Sequence, residues 1–569
     1  MSRIFVDRTK RKSACLDGMW FFKTDADNAG KEQGFFMGFT DGMQIAVPSV
    51  WNTEFGLIEY NGAVWYSKDF YFEGGNLRLN FEAVMTYAEV WLDGKLLGDH
   101  YGGFSAFDFY VNNVETGFHN LTLRVDNSFD KNSIPQKKVD WYHYGGIIRS
   151  VYAEKVAETV VTNLRFDYNL NDALTLANAK ITAELFNSES YEITSPVTFF
   201  FDSKEIFKTD ITLSAGETKK VVSPEFSVEN IRLWDIGKPE LYSILVATNT
   251  DDLYDRVGFR KIEVKDQKIL LNGNQIEIRG VNRHEEYPDF GFAFPKSLMN
   301  RDIDIILNLG CNAIRGSHYP NSKYFVDLLD SKGILFWSEI PMWGVGFTAE
   351  TLGLPTVIER GLTMHKEMLK QYFNHPSIII WGMHNEIPTE AENAYNISKL
   401  FYNFLKENGG NRIVTYATYK PMEDICLEFC DIICLNQYYG WYYGNNDSWQ
   451  EALNEFRERR NALGYGHKPI IMSEFGCAAI YGDHTFTNIR WTEEYQAEML
   501  SKAITTFHND SMVCGFYVWQ YADMRTCWEA GMTRARGFNN KGLLNEYRKP
   551  KMSYYAAQKL YKEFSENDE

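Results

Sequence analysis

Ile378-Ile379-Ile380-Trp381-Gly382-Met383-His384-Asn385-Glu386 is an apolar run that ends abruptly in polar side chains. Its length and its lack of alternation suit a strand buried on both faces, which belongs in a parallel sheet covered by helices. Seven more short apolar runs with this character follow residue 265 or so, at 276–281, 313–317, 335–339, 413–417, 432–438, 470–474 and 515–520. Longer amphipathic stretches separate them. With 378–384 they make eight strands in about 305 residues, the density of a (β/α)8 TIM barrel.

Reacting groups in such a barrel project from the C-terminal strand ends, where the βα loops build the open face. The fourth run delivers Asn385 and Glu386 there, and the seventh, Pro469-Ile470-Ile471-Met472-Ser473, delivers Glu474 ahead of Phe475-Gly476. Cleavage of a glycosidic bond needs two carboxyl groups, one protonated to help the leaving oxygen and one ionised. A single strand-end glutamate is more often a solvated rim residue or an ion-pair partner. Two on one rim, one preceded by asparagine and the other soon followed by glycine, favour the catalytic reading.

Upstream of the barrel the rhythm is different. From about residue 16 to 156, short alternating runs such as Leu77-Arg78-Leu79-Asn80-Phe81 after Gly74-Gly75, and Val90-Trp91-Leu92 before Asp93-Gly94, mark an all-β sandwich. A second set of strand-like runs, from Thr159 through Phe199-Phe200-Phe201 to Val257, has the size and spacing of an immunoglobulin-like sandwich. The expected division is a jelly roll over 1–156, an immunoglobulin-like β-sandwich over 157–264 and the TIM barrel over 265–569. A chain of 569 residues calls for two to four domains in any case.

The formal net charge of −18 and a pI near 5.2 argue against a nucleic-acid or anionic-membrane partner, since a phosphate-binding surface needs a basic field. An acidic substrate would need a local basic pocket. The start of the chain, from Met1 through Arg3, Arg8, Lys10, Arg11 and Lys12, has charge but no apolar core of a signal peptide, and no membrane-spanning apolar run follows. A cytoplasmic protein is expected from the chain as it begins here. The 15% aromatic content fits sugar stacking and sandwich cores alike and decides nothing. Eight cysteines are too few for a disulfide scaffold at this length, and Cys426, Cys430 and Cys434 match no common zinc spacing, so they read as buried thiols. The sequence has no Walker-type loop, no His-Glu-x-x-His and no dinucleotide fingerprint. No metal site and no cofactor are expected.

The chain resembles glycoside hydrolase family 2 over nearly its whole length. The resemblance is carried by Leu16-Asp17-Gly18-Met19-Trp20-Phe21, Val47-Pro48, Val90-Trp91-Leu92-Asp93-Gly94 and Gly103-Phe104 in the sandwich. In the barrel it is carried by Arg279-Gly280-Val281-Asn282-Arg283-His284-Glu285, Arg315-Gly316-Ser317-His318-Tyr319-Pro320, His375-Pro376-Ser377, Trp381, Asn385-Glu386 and Ser473-Glu474-Phe475-Gly476. It implies a sugar-binding jelly roll, an immunoglobulin-like domain and a catalytic barrel, with Glu386 as acid/base and Glu474 as nucleophile. It also implies retention of anomeric configuration, hence carboxyl groups about 5 to 5.5 Å apart, a sugar 2-hydroxyl contact for Asn385, and a homo-oligomer.

Family resemblance leaves β-galactosides, β-mannosides and β-glucuronides open. Asn539-Asn540-Lys541-Gly542 resembles the Asn-any-Lys-Gly motif with which the β-glucuronidases of the family hold the sugar carboxylate, so glucuronide conjugates or uronic-acid-bearing glycans are the expected substrates. Asp140 resembles the aspartate that a jelly-roll loop contributes to glucuronide hydroxyls, with a domain-interface role as its rival. By the same resemblance His318, Tyr438, Tyr442 and Trp519 line the sugar pocket. Gln437 departs from the pattern, standing where a basic residue is expected. Arg534 and Arg536 are expected to add charge near the carboxylate without a fixed alignment. The stretch Pro341-Met342-Trp343-Gly344-Val345-Gly346-Phe347 carries no long insertion, which predicts an open aglycone side. A β-galacturonidase or mixed uronidase is the nearest alternative, because Asn539 and Lys541 read the carboxylate and not the C4 hydroxyl. A β-galactosidase comes next, and a non-catalytic carbohydrate-binding protein is the alternative of another class.

Overall fold

The computed structural model describes residues 3–344, 346–528 and 533–568. Met1, and Val345 within the short stretch 341–347, lie outside the described residues.

The first sheet runs in the order Lys12–Cys15, Val151–Val156, Ala63–Phe81, Phe107–Asp126, Tyr87–Leu92 and Lys95–Tyr101, with Gly18–Thr24 and Met43–Val47 joining beside Ala63–Phe81. The two long strands pair antiparallel and slip register between Gly75 and Leu77. Gly74 and Gly75 have φ of 74° and 106° there, a backbone that favours glycine. Alternation then sends Leu77, Leu79 and Phe81 into one core with Trp20, Phe22 and Tyr66, while Arg78 pairs outward with Asp108 and Glu154.

Two four-stranded antiparallel sheets follow. One holds Thr159–Leu170, Leu176–Asn187, Thr218–Val222 and Phe226–Glu229, and the other Lys204–Leu213, Ile193–Phe201, Tyr242–Ala247 and Asp252–Val257. Phe166, Ile181 and Leu185 from the first share a core with Phe199, Phe201 and Ile244 from the second. This is the layered packing expected of the 159–257 runs.

Eight parallel strands close the barrel: Ile278–Asn282, Ala313–Gly316, Leu335–Glu339, Ile378–Asn385, Ile413–Thr418, Ile433–Asn436, Ile470–Phe475 and Val513–Val518. Every expected run is one of them, with ends displaced by a few residues. The eighth strand begins two residues early and stops before Trp519. Helix Lys296–Leu309 shows how the connections pack, burying Met299, Ile303, Ile306 and Leu309 on one face and closing at Gly310 with φ 93°. A small sheet of Ile262–Lys265, Lys268–Leu271 and Asn274–Ile276 covers the N-terminal end, where Ile262, Ile269 and Leu271 join Ile278, Ala313 and Leu335 in one cluster.

The first sandwich docks on the open rim of the barrel. Phe104 stacks on Tyr319 at 4.0 Å and 3°, Arg149 donates to Glu285 at 2.9 Å, and the Tyr144 hydroxyl donates to Glu286 at 2.8 Å. Trp141, Tyr144 and Ile148 share a buried cluster with Phe292, Tyr319 and Trp519. The 139–148 segment is thereby fixed at the barrel mouth, which carries Asp140 there.

Cys426, Cys430 and Cys434 are buried and free, and burial pushes all three thiols up from their ordinary pKa. Asp327, Asp330 and His375 bring liganding atoms together. Arg3 occupies Asp327 through three donor contacts of 2.7 to 3.1 Å, and His375 Nδ1 lies 2.5 Å from Asp330. A bound guanidinium already supplies the positive charge that a cation would bring.

Candidate active site

Glu386 and Glu474 both reach the open rim, one just past the fourth strand and one within the seventh. Glu386 has φ 52°, a left-handed backbone uncommon for a side chain of this size, and its N–H donates to Ala417 O at 2.9 Å. Such a conformation costs on the order of 1 kcal/mol and persists where the surroundings over-determine it. The turn takes Glu386 out of the strand direction that Asn385 still follows.

Arg315, fully buried at the end of the second strand, organises the floor of the site. It donates to Glu474 Oε1 at 2.8 Å, to both oxygens of Glu339 at 2.9 and 3.1 Å, to Asn385 Oδ1 at 2.7 Å and to Asn282 Oδ1 at 3.1 Å. Burial works against the cation, and Glu339 and Glu474 outweigh it, so its pKa rises and it stays charged. The Tyr438 hydroxyl donates to the other Glu474 oxygen at 2.8 Å. Burial pushes Glu474 up to about 7, against the pull of Arg315 and the Tyr438 hydrogen bond. Burial first, and the charge of Glu474 second, push Glu386 up to about 8, opposed by a hydrogen bond from Asn436 Nδ2 at 2.8 Å. The order puts the shared proton on Glu386 and leaves the negative charge on Glu474, which is buried but accepts from Arg315 and Tyr438.

His318 Nδ1 lies 2.6 Å from Glu339 Oε1, and burial followed by the Arg315 charge holds the imidazole well below its ordinary pKa. A neutral ring whose Nδ1 proton is given to Glu339 leaves Nε2 as an acceptor. That Nε2 and the Asn385 Nδ2 have no hydrogen-bond partner among the described residues. Trp519 stacks on His318 at 5.2 Å and 22°. A buried donor, a buried acceptor and an aromatic face are the elements that hydroxyl-rich rings require.

The other expected residues meet on the adjoining side of the mouth. Asn539 Nδ2 donates to Asp140 at 2.5 Å, and Arg534 makes a close ion pair with the same carboxylate. Lys541 is 2% exposed as a residue, and its ammonium donates to the Tyr442 hydroxyl at 2.7 Å. It lies 4.8 Å from the Tyr442 ring centre and 5.5 Å from that of Tyr438. No described carboxylate forms an ion pair with it. Tyr442 is itself 57% exposed, so it forms the outer wall.

All ten expected site residues therefore gather at one mouth. Arg536 pairs with Glu546, so of the two expected arginines Arg534 is the one joined to the site. Gln437 turns aside, donating to Tyr419 O at 3.0 Å and accepting from the Tyr443 hydroxyl at 3.0 Å. Arg315, Glu339, Asn282 and Asn436 were not singled out from the sequence as site residues. Their signal was the one used for the glutamates, a polar residue ending an apolar strand. A cavity of about 790 Å³ elsewhere, between the sandwiches and the barrel, is lined by Arg3, Arg11, Arg78, Glu154 and Asp255. Those five charges pair with one another.

Comparison with known proteins agrees with this fold. Residues 262–566 match the TIM barrel domain of glycosyl hydrolases family 2, residues 13–156 its sugar binding domain, and residues 159–260 a further family 2 domain. The chain belongs to glycosyl hydrolases family 2. It is 26% identical to a beta-glucuronidase of Paenibacillus borealis, over 96% of each chain. Among solved structures, a GH2 beta-galacturonidase from Eisenbergiella tayi bound to galacturonate superposes with a TM-score of 0.92 at 32% identity, covering 99% of both chains. A beta-glucuronidase from Ruminococcus gnavus in complex with D-glucuronic acid superposes at 0.85 and 26% identity, covering 98% of this chain and 99% of that one. This family 2 glycosidase thus has a full-length likeness to enzymes of both uronic acids.

Proposed function

We propose that this chain is a retaining, exo-acting uronide hydrolase that releases β-D-glucuronic acid from β-glucuronides, with Glu474 as nucleophile and Glu386 as acid/base. The observation that carries the reading is Tyr438, whose hydroxyl bonds Glu474 while its ring lies 5.5 Å from the Lys541 ammonium. One side chain thus spans the reacting carboxylate and a buried cation without a described carboxylate partner. An anionic sugar supplies that partner, in a protein whose overall charge is −18.

In the first step a Glu474 oxygen bonds the anomeric carbon as the bond to the aglycone breaks, and Glu386 gives its proton to the leaving oxygen. Ester formation removes the Glu474 charge that had raised Glu386. Glu386, now ionised, takes a proton from water, whose oxygen attacks the anomeric carbon and frees Glu474. Two inversions return the β configuration. The unpartnered Asn385 Nδ2 supplies a donor to the 2-hydroxyl, and Asn436 keeps Glu386 oriented through both proton transfers.

The test compares kcat/KM for p-nitrophenyl β-D-glucuronide, the galacturonide and the galactoside, with Lys541→Ala alongside. A glucuronide preference that falls about 100-fold in the variant supports the reading. Preference for the galactoside, or indifference to Lys541→Ala, refutes it. A second reading, β-galacturonidase or mixed uronidase, is favoured by the 32% identity to the Eisenbergiella tayi enzyme, and preference for the galacturonide selects it. A cytoplasmic location, supported by eight free thiols, and a homo-oligomeric assembly belong to the same proposal. Sedimentation as a monomer would overturn the latter.

A further inference from the structure

The turn from Asn539 to Gly542 is gripped by two residues whose side chains are buried. Asp523 and Lys551 have fully buried side chains and pair at 2.8 Å. Lys551 Nζ also donates to Asn540 O at 3.0 Å and to Ala479 O at 2.8 Å. Asp523 Oδ1, the oxygen that meets Lys551, also accepts the Gly542 N–H at 2.9 Å. One ammonium therefore joins the segment after the seventh strand, the segment after the eighth and the turn that carries Lys541.

The two backbone groups held by the pair are not arbitrary. The Asn540 carbonyl belongs to the peptide unit before Lys541, and the Gly542 N–H to the unit after it. Fixing both planes fixes the two soft backbone dihedrals of Lys541, and with them the direction in which its side chain leaves the chain. Gly542 lets this grip close, because a Cβ there would lie 2.3 Å from both Asp523 N and Leu544 O. A buried ion pair gives little net stability over an apolar pair of similar volume, whereas removing one partner strands a charge. Orientation is the use to which such a pair is suited.

We propose that Asp523 and Lys551 are positioning residues for uronate recognition, clamping the peptide planes on either side of Lys541 and so aiming its ammonium at the substrate carboxylate. This role rests on the uronide reading given above. Lys551→Met keeps the methylene stem without the charge, and Asp523→Asn keeps the shape and the acceptor for Gly542. For each, kcat and KM are measured on p-nitrophenyl β-D-glucuronide, the galacturonide and the neutral β-D-glucoside from one preparation, so that the uronide-to-neutral ratio does not depend on the folded fraction. The expected result is a higher uronide KM and a ratio lowered about tenfold or more in both variants. A ratio that keeps its wild-type value in both, while Lys541→Ala lowers it, overturns the positioning role and leaves the functional reading standing. A ratio unmoved by Lys541→Ala overturns the functional reading and the positioning role together. Loss of all activity and of folded protein in both variants assigns the pair to stability and overturns the proposal as well.

Discussion

Replacing Tyr438 by phenylalanine removes one hydroxyl and leaves the ring that faces Lys541. The lost contact is a 2.8 Å hydrogen bond to Glu474 Oε2. Burial and then the charges of Glu474 and Glu386 hold the phenol pKa well above its ordinary value, so the hydroxyl is a neutral donor throughout the working range. A hydrogen bond to a charged group is worth about 1.5 to 3 kcal/mol, or about 1 to 2 pKa units. Tyr438 is half-buried at an open mouth, where water can replace part of the lost donation, so the expected shift is about 1 unit. The sign follows from the donor, which favours the ionised form, so that its removal raises the Glu474 pKa. The glutamate pair titrates as a unit with values of about 7 and about 8 in the parent, which predicts a bell-shaped pH profile of kcat/KM. In Tyr438→Phe the acidic limb moves up by about one unit, and kcat/KM at pH 6 falls about tenfold. The assay is kcat/KM for an aryl uronide from pH 5 to 10, with thermal unfolding recorded in parallel. An acidic limb superimposable on the parent's would refute the assignment of Glu474 as the ionised partner.

Asn436→Ala removes the donor to Glu386 Oε1, so the alkaline limb should move up while kcat on substrates with poor leaving groups falls by about fivefold, corresponding to about 1 kcal/mol; an unmoved limb speaks against it. Phe104→Ala empties the stacked contact with Tyr319 and should cost about 3 to 5 kcal/mol, read as a lower urea midpoint together with a higher KM as the Asp140 segment loosens. Glu474→Gln keeps the Tyr438 and Arg315 neighbours and should abolish formation of a covalent intermediate with a 2-fluoro uronide, read by mass spectrometry; adduct formation would place the nucleophile elsewhere. EDTA should leave kcat/KM unchanged, because Arg3 occupies Asp327, and a loss restored by a divalent cation would reopen the Asp327, Asp330 and His375 cluster.

The sequence alone determined the barrel, since strands buried on both faces must be written as apolar runs, and runs such as 335–339 and 378–384 became strands with nearly those ends. It also placed Glu386 and Glu474 at one rim of the barrel, because each follows an apolar run that became a strand. It left open what is settled by contacts between distant segments. Asp140 meets Arg534 and Asn539 across 394 and 399 residues, a juxtaposition no local pattern encodes. Arg534 and Arg536 look alike in sequence, and the pairing of one with Asp140 and of the other with Glu546 is decided by packing. The unequal surroundings of two chemically identical carboxyl groups are likewise tertiary. Arg315 and Tyr438 converge on Glu474 from the second strand and the segment after the sixth, whereas Glu386 receives one amide donor and the repulsion of its neighbour. Apolar periodicity is local and survives in one dimension, whereas the field at a carboxylate is a sum over neighbours that only folding brings together.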